Sequence, residues 1–159
     1  MDSGKKTINH VEIRKILPVQ DGYRMPGEYE PHRGCILIWP ERPGSWRNSA
    51  REAKKAFADV IRAIAKSEEV YLAASGNTFS EAEKLAQRLQ TDETLYPIRV
   101  FTAETDDAWA RDVGPTFVTD GQEVRGINWE FNAWGGTEDG LYASWEKDNR
   151  FAPFFCEKE

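Results

Sequence analysis

Three short apolar segments alternate with two amphipathic segments between residues 35 and 102, and this alternation constrains the fold more than any other feature of the sequence. Cys35 to Trp39 lies between Gly34 and Pro40 and is typical of a strand that is buried on both faces of a sheet. Val70 to Ala74 predicts a second strand, and Ile98 to Thr102 predicts a third. The order strand, helix, strand, helix, strand predicts an α/β fold in which helices cover a sheet.

The two amphipathic segments carry apolar residues at helical spacing. Ser49 with Glu52, and Ser80 with Glu83, match the Ser-x-x-Glu capping box that opens many helices. The first helix is expected to end near Ser67. The residues predicted to face the sheet are Ala53, Phe57, Val60, Ile61 and Ile64 in the first helix and Ala82, Leu85, Ala86 and Leu89 in the second, with Lys54, Lys55, Asp59 and Arg62 facing water.

The flanking regions are less regular. Residues 1–20 are polar and aperiodic, which predicts a flexible leader before one domain at residues 21–159. Residues 21–33 mix turn formers with aromatic residues and predict an irregular segment laid over a surface. Thr116 to Thr119 and Glu123 to Trp129 flank Asp120-Gly121, which predicts a β-hairpin. From Tyr142 onward the apolar residues show no clean period.

The composition disfavours some classes of binding partner and indicates the cellular compartment. The net charge is −6, with no basic block longer than two residues, which disfavours nucleic acid and anionic membranes as partners. No signal-peptide core and no membrane-spanning run occur in the sequence. The chain has two cysteines, too few for a disulfide scaffold, so we expect a reducing, cytoplasmic setting.

Common catalytic and metal motifs are missing from the sequence. His32 and Cys35 form an H-x-x-C pattern, but a structural zinc site needs about four ligands and no second pair is present, so we expect no metal. His10 lies in the polar leader. We expect Cys35 to be a small buried side chain with an inert thiol, and Cys156 has no neighbouring base in the sequence. Phosphate-loop, dinucleotide-binding and serine-hydrolase motifs are absent.

The loop after the third strand, residues 103–115, carries the densest group of side chains that could bind a ligand. Its carboxylates and its indole are Glu104, Asp106, Asp107, Asp112 and Trp109. A carboxylate binds a planar guanidinium through two parallel hydrogen bonds, and an indole face attracts the same cation. The loop therefore fits a guanidinium ligand. The spacing equally allows Arg111 to pair with one of these acids, with the remaining acids as ordinary solvated charge.

Four segments in the same order resemble the agmatine deiminases of the peptidylarginine-deiminase superfamily. They are Asp21 to His32, Ile38 to Arg47, Asp107 to Val118 and Trp129 to Gly136. The resemblance runs from about residue 18 to the end of the chain. It implies a pseudo-fivefold α/β propeller (a pentein-like fold) of ββαβ-type units, of which this chain holds roughly two. It also implies hydrolysis of agmatine to N-carbamoylputrescine and ammonia, as in putrescine and polyamine synthesis, without a metal or an organic cofactor.

The same resemblance assigns roles to two residues. In that superfamily a thiolate attacks the guanidinium carbon, an imidazole moves the protons, and carboxylates hold the guanidinium nitrogens. Asp112 matches the first guanidinium-binding aspartate, which makes it the candidate catalytic and substrate-binding residue, and Trp109 matches the tryptophan of the substrate slot. No role carries over to five other polar residues in or near these segments, and structural explanations are expected for them: Glu104, Asp106, Asp107, Arg111 and Asn132.

The chain departs from the family in its length. Family members are more than twice as long, and their nucleophilic cysteine, their histidine, a glutamate and a second aspartate come from later segments. We therefore expect an N-terminal portion that needs the remainder of the deiminase domain to complete its site and that is inactive alone. Two alternatives stay open: a portion of a deiminase for arginine or protein arginine, and a non-catalytic remnant that binds guanidines or polyamines.

Overall fold

The computed structural model describes residues 17–158, so most of the predicted leader, residues 1–16, lies outside the described residues. Three parallel strands form the central sheet in the order β1-β2-β3. They are β1 (Gly34–Ile38), β2 (Glu69–Ala74) and β3 (Ile98–Thr102). In the register, Gly34 lies opposite Glu69 and Val70 lies opposite Ile98. The predicted α/β class and all three predicted strands are confirmed.

Burial differs between the strands because only β2 has a neighbour on both sides. Val70 to Ala74 are all buried, as predicted. In β1 only Ile38 is buried and the other four residues are partly exposed, because β1 lies at the edge of the sheet. The prediction that β1 is buried on both faces is therefore wrong for most of that strand.

Two helices cover one face of the sheet. They are α1 (Arg51–Ile64) and α2 (Phe79–Leu89). Ile61 and three of the four predicted residues of α2 are buried in a core that includes Leu72 of the central strand, and the fourth, Ala86, is buried as well. Two predictions for α1 are wrong. Val60 is 46% exposed, and Lys54 does not simply face water, because its ammonium binds the Glu81 carboxylate of α2 at 2.6 Å.

Both predicted capping boxes are wrong. Ser49 has a left-handed backbone (φ 53°), whereas an N-cap serine needs an extended backbone, and α1 begins after Ala50 without a side-chain cap. Ser80 is already inside α2, whose N-cap residue is Thr78, also without a side-chain hydrogen bond. The apolar periodicity located both helices correctly, while packing of the preceding loops set where they begin.

The second face of the sheet is covered by the C-terminal half of the chain. A core on this face joins Tyr71 and Phe101 of the sheet to Phe131, Phe151 and Phe155. Two short helices, α3 (Ala110–Val113) and α4 (Gly136–Asp139), and the terminal helix α5 (Phe151–Lys158) belong to this half. Helix α5 was not predicted, because its residues show no clean apolar period.

The predicted hairpin is confirmed, with a shorter second strand. It consists of β4 (Thr116–Thr119) and β5 (Val124–Ile127). Gly121 in its turn has φ 92°, a conformation that favours glycine. Residues 21–33 lie against the hairpin as an irregular segment: Arg24 pairs with Thr119 through backbone hydrogen bonds, and the Tyr23 ring is buried beneath the Arg125 guanidinium, 4.0 Å away.

No helix within residues 17–158 has both the length and the apolar character needed to cross a bilayer.

Candidate functional site

The acidic loop leaves the sheet at the carboxyl end of β3, beside the carboxyl ends of β1 and β2. Ligand groups of open α/β folds collect outside these strand ends. Hydrogen bonds link the loops at this edge: Ser75 Oγ donates to Glu41 Oε2 at 2.8 Å, and the Gly76 N–H donates to Glu104 Oε1 at 3.0 Å. The acidic loop is therefore joined to its neighbours at the edge where a ligand site is expected.

Trp109 contacts two other indoles. Its ring stacks on Trp46 with centroids 5.9 Å apart and an interplanar angle of 29°. The Trp134 ring meets it edge-on, 5.6 Å away at 88°. Trp109 is half-buried, and its Nε1 is buried with no acceptor within residues 17–158. These contacts fix the indole plane.

Asp112 is exposed and is oriented by the same indole that contacts Trp109. Trp134 Nε1 donates a hydrogen bond to Asp112 Oδ1 at 3.2 Å. Arg111 reaches away from the loop and forms an ion pair with Glu28 Oε1 at 2.6 Å, with both side chains highly exposed. Within the described part of the chain, the pairing of Arg111 with an acid of its own loop is therefore not observed.

The turn that carries Trp134 is strained. Ala133 and Trp134 have φ 53° and 65°, and non-glycine residues with such angles cost about 1–3 kcal/mol each. The Gly136 N–H donates to the Asn132 carbonyl at 2.8 Å, which closes the turn, and the Phe131 ring contacts Trp134 edge-on at 5.1 Å. Packing thus holds the Trp134 indole over the exposed acid despite the backbone cost.

A second strained turn follows Trp46. Asn48, Ser49 and Ala50 have φ 51°, 53° and 61° in succession. The Trp46 ring packs edge-on against Phe57 of α1 at 6.4 Å, and its Nε1 donates to Asp107 Oδ1 at 2.9 Å. Both neighbours of the Trp109 ring therefore lie beside left-handed backbone, which clusters at functional sites.

Asp107 holds the loop from inside. It is buried, and besides the Trp46 indole its carboxylate accepts hydrogen bonds from the Ser45 hydroxyl and from the Ala108 N–H. A buried carboxylate with several donors fixes its own backbone. Asp107 therefore serves structure rather than a ligand.

Asp148, far along the sequence, anchors the same loop. It is fully buried and accepts hydrogen bonds from the Tyr142 hydroxyl at 2.6 Å and from the N–H groups of Asp106 and Asp107 at 2.7 and 3.3 Å. Burial raises the pKa of Asp148, although these hydrogen bonds oppose that shift. Burial and the bond to Asp148 together raise the pKa of Tyr142.

The two other acids of the loop also have partners within the fold. Donation from the Gly76 N–H and from the Lys147 ammonium lowers the pKa of Glu104. Asp106 Oδ2 accepts the Lys147 N–H at 2.9 Å. Of the four carboxylates, Asp112 is exposed and accepts a hydrogen bond from the Trp134 indole at one oxygen, whereas both oxygens of the exposed Glu104 bind other groups of the fold.

The two thiols lie away from this edge. Cys35 is near the amino end of β1, and burial is the main cause that raises the pKa of its thiol. Cys156 is on α5, and burial raises its pKa too. Neither thiol has the lowered pKa of a nucleophilic cysteine.

Comparison with known proteins identifies the family. The family model of the Porphyromonas-type peptidyl-arginine deiminases matches residues 24–159. The chain belongs to this family. The resemblance carried by the four sequence segments is thereby confirmed.

Similar members of the family and one solved structure agree with this result. The agmatine deiminases of Pseudomonas aeruginosa strain LESB58 and Stutzerimonas stutzeri strain A1501 are 47% and 46% identical over 143 residues, which is 89% of this chain and 37% of each relative. The structure of the agmatine deiminase of Enterococcus faecalis, which catalyses its reaction, matches with a TM-score of 0.78 and 41% identity, over 89% of this chain and 37% of that one. The chain thus spans about 37% of the length of these relatives.

Proposed function

We propose that this chain is the N-terminal portion of an agmatine-deiminase-type hydrolase, which converts agmatine and water to N-carbamoylputrescine and ammonia. The observation that carries the proposal is the contact of one indole, Trp134, with both the Trp109 ring and the Asp112 carboxylate. Relatives named agmatine deiminase support the choice of substrate.

The geometry suits a guanidinium. The flat cation lies against the Trp109 indole, a contact worth about 0.5–2 kcal/mol according to how well water is excluded. Asp112 accepts its N–H groups, and charge-assisted hydrogen bonds of this kind are stronger than neutral ones. Trp134 donates a hydrogen bond to one Asp112 oxygen, so the carboxylate is already oriented before the ligand binds.

The likeness to deiminase structures supports the rest of the architecture. We place the chain in a pseudo-fivefold propeller as roughly two ββαβ-type units, with the remainder of the deiminase domain completing the site at its centre. A thiolate from that remainder attacks the guanidinium carbon, and neither a metal nor an organic cofactor takes part. A small cationic guanidine in the cytoplasm is the partner, without nucleic acid or membrane.

The chain by itself does not turn over agmatine in this proposal. The burial that raises the pKa of Cys35 and Cys156 keeps both thiols protonated near neutral pH. His32, in turn, is engaged with Glu68 at 2.5 Å. What remains is a binding surface that positions a substrate for chemistry supplied by other residues.

Calorimetric titration of the 159-residue chain tests the proposal. We expect agmatine to bind at millimolar concentration and putrescine, which lacks the guanidinium, to bind at least about tenfold more weakly, because the charged hydrogen bonds are lost. Asp112→Asn should weaken agmatine binding by about tenfold, whereas Asp92→Asn, the same change at an exposed remote acid, should not. No ammonia should be released. Equal binding of agmatine and putrescine, or full binding by Asp112→Asn, contradicts the proposal.

The family suggests a second candidate substrate, because it is named for peptidyl-arginine. Arginine and an arginine-containing peptide carry the same guanidinium on a different tail. Titration with these two ligands beside agmatine separates the alternatives. Tighter binding of the peptide would favour a protein-arginine deiminase.

A further inference from the structure

A second group of side chains that can bind a ligand lies at the amino ends of the strands, whereas the candidate site lies at their carboxyl ends. His32 lies just before β1, Cys35 is the second residue of β1, and Glu68 lies just before β2. One donor atom of each residue, an imidazole nitrogen, a thiol sulfur and a carboxylate oxygen, lies within 4.8 Å of the other two. Nitrogen, sulfur and oxygen donors converge there at the amino ends of two parallel strands.

The backbone register builds this group. Gly34 lies opposite Glu69 in the parallel pair, which places Glu68 beside the H-x-x-C segment although 33 residues separate it from Cys35. A Cβ atom on Gly34 would clash with the Glu69 carbonyl oxygen, so glycine permits the close approach of the two strands. The sheet therefore fixes Cys35 directly and holds Glu68, one residue before β2, next to it.

Two of the three donor atoms are in direct contact. His32 Nδ1 lies 2.5 Å from Glu68 Oε2, and that oxygen is buried. An unprotonated imidazole nitrogen and a carboxylate oxygen are both acceptors, so this contact requires a proton or another cation between them. The Cys35 thiol adds the third donor atom beside the same carboxylate.

We propose that His32, Cys35 and Glu68 bind a divalent transition-metal ion, with Zn²⁺ as the best match. Thiolate, imidazole and carboxylate are the three protein ligands of zinc, whereas Mg²⁺ and Ca²⁺ take oxygen ligands almost entirely. On binding, the Cys35 thiol proton and the proton between His32 and Glu68 leave to solvent, and three metal–ligand bonds form in their place. Water completes the four-coordinate shell.

In this proposal the ion stabilises the fold, although with three protein ligands and a water it is not one of the closed four-ligand structural sites. It ties the end of the 21–33 segment to the first two strands, because His32 comes from that segment, Cys35 from β1 and Glu68 from the residue before β2. A metal that binds the folded chain in preference to the unfolded chain stabilises the fold by mass action. This metal site is independent of the proposed deiminase function, since it lies at the amino ends of the strands and the candidate deiminase site lies at their carboxyl ends.

Metal titration of the chain tests the site. The 159-residue chain, stripped of metal with a chelator, is titrated calorimetrically with Zn²⁺ and spectroscopically with Co²⁺. We expect one ion per chain, a thiolate-to-cobalt charge-transfer band, and a higher urea midpoint with Zn²⁺ than without it. Absence of stoichiometric binding overturns the proposal.

Variants assign the ligands. We expect the Zn²⁺ affinity to fall at least about tenfold in each of His32→Ala, Cys35→Ser and Glu68→Gln. Mutation of residues that only hydrogen-bond to a metal ligand already lowers metal affinity about 10–100-fold. The matched controls are His10→Ala and Cys156→Ser, the other histidine and the other cysteine of the sequence, which should leave the affinity unchanged. His32 is 49% exposed, so its variant should keep the fold. Unchanged affinity in His32→Ala and Cys35→Ser, or loss of the cobalt band only in Cys156→Ser, overturns the proposal.

Discussion

Asp112 shows how one exposed carboxylate acquires a fixed direction. Its own short helix, Ala110–Val113, supplies no side-chain cap, and the Trp134 indole holds it from a different segment. Trp134 is in turn fixed by Phe131 and by the Trp109 ring. The orientation of the acid therefore depends on residues 22 positions away along the chain.

Removal of the Trp134 N–H should loosen this acid. In Trp134→Phe the ring contacts remain while the hydrogen bond to Asp112 is lost, so we expect agmatine binding to weaken about three- to tenfold, equivalent to one hydrogen bond. Calorimetric titration measures the change. Trp129→Phe is the matched control, because Trp129 also donates through Nε1, to Thr116, but has no contact with Asp112. Equal loss in both variants would show that Trp134 has no special part.

Two of the four residues of the candidate site, Trp109 and Asp112, are predicted from the sequence for a clear physical reason. Trp109 and Asp112 lie three residues apart and could be matched as one motif. Trp134 and Trp46 contribute through contacts across 25 and 63 residues, which no local pattern encodes. Asp148 was missed as well, because an isolated aspartate in a polar stretch looks like a surface residue until its burial is known.

At the scale of elements, periodicity was a better guide than capping. The stripe of Ala82, Leu85, Ala86 and Leu89 is buried as predicted, because burial follows directly from which face of a helix meets the sheet. The capping boxes failed because a cap depends on the conformation of the preceding loop. Helix α5 escaped prediction for a related reason: its aromatic residues pack against the sheet, the hairpin and one another.

The loop between β3 and α3 should depend on the hydroxyl of Tyr142. In Tyr142→Phe, the buried Asp148 carboxylate loses one donor, which should lower the free energy of unfolding by about 1.5–3 kcal/mol. Tyr29→Phe, at a side chain that is 93% exposed, should change it by less than about 0.5 kcal/mol. Urea unfolding measures both variants, and similar values for the two would contradict the anchoring role.

The 21–33 segment should respond to acid through Glu30. Two hydrogen bonds from Arg24 at 2.7 Å and one from the Gly27 N–H lower the pKa of Glu30 from 4.5 to about 2. Because the pKa is lower in the folded chain, the stabilisation is present above pH 4.5 and is lost as the pH falls toward 2. NMR titration of the carboxyl carbon should show this pKa, and Arg24→Gln should raise it toward the ordinary value. An unchanged pKa in Arg24→Gln would contradict the pairing.

At the scale of the whole molecule, the central strand unites two cores. Val70, Leu72 and Ala74 pack under the helices α1 and α2, whereas Tyr71 and Ala73 pack against the C-terminal half. Alternate residues of β2 thus belong to opposite layers. A destabilising substitution on one face of β2 should therefore lower the stability of both cores of the described fold.

Truncation of a central leucine measures that dependence. Leu72 is fully buried, so Leu72→Ala should lower the free energy of unfolding by about 2–5 kcal/mol through lost burial and a new cavity. Leu95→Ala removes the same atoms at a side chain that is 75% exposed and should cost less than about 0.5 kcal/mol. Chemical denaturation followed separately in the two layers should give one shared midpoint. Different midpoints would mean that the layers unfold independently.

The stacked indoles of Trp46 and Trp109 give the protein a built-in optical reporter. Rings 5.9 Å apart at 29° lie close enough for their electronic transitions to couple, so the near-ultraviolet dichroism of the chain is sensitive to the angle between them. A cation arriving at the Trp109 face would alter that coupling without any added dye. Cation binding at the candidate site can therefore be followed by the near-ultraviolet circular dichroism of the protein itself.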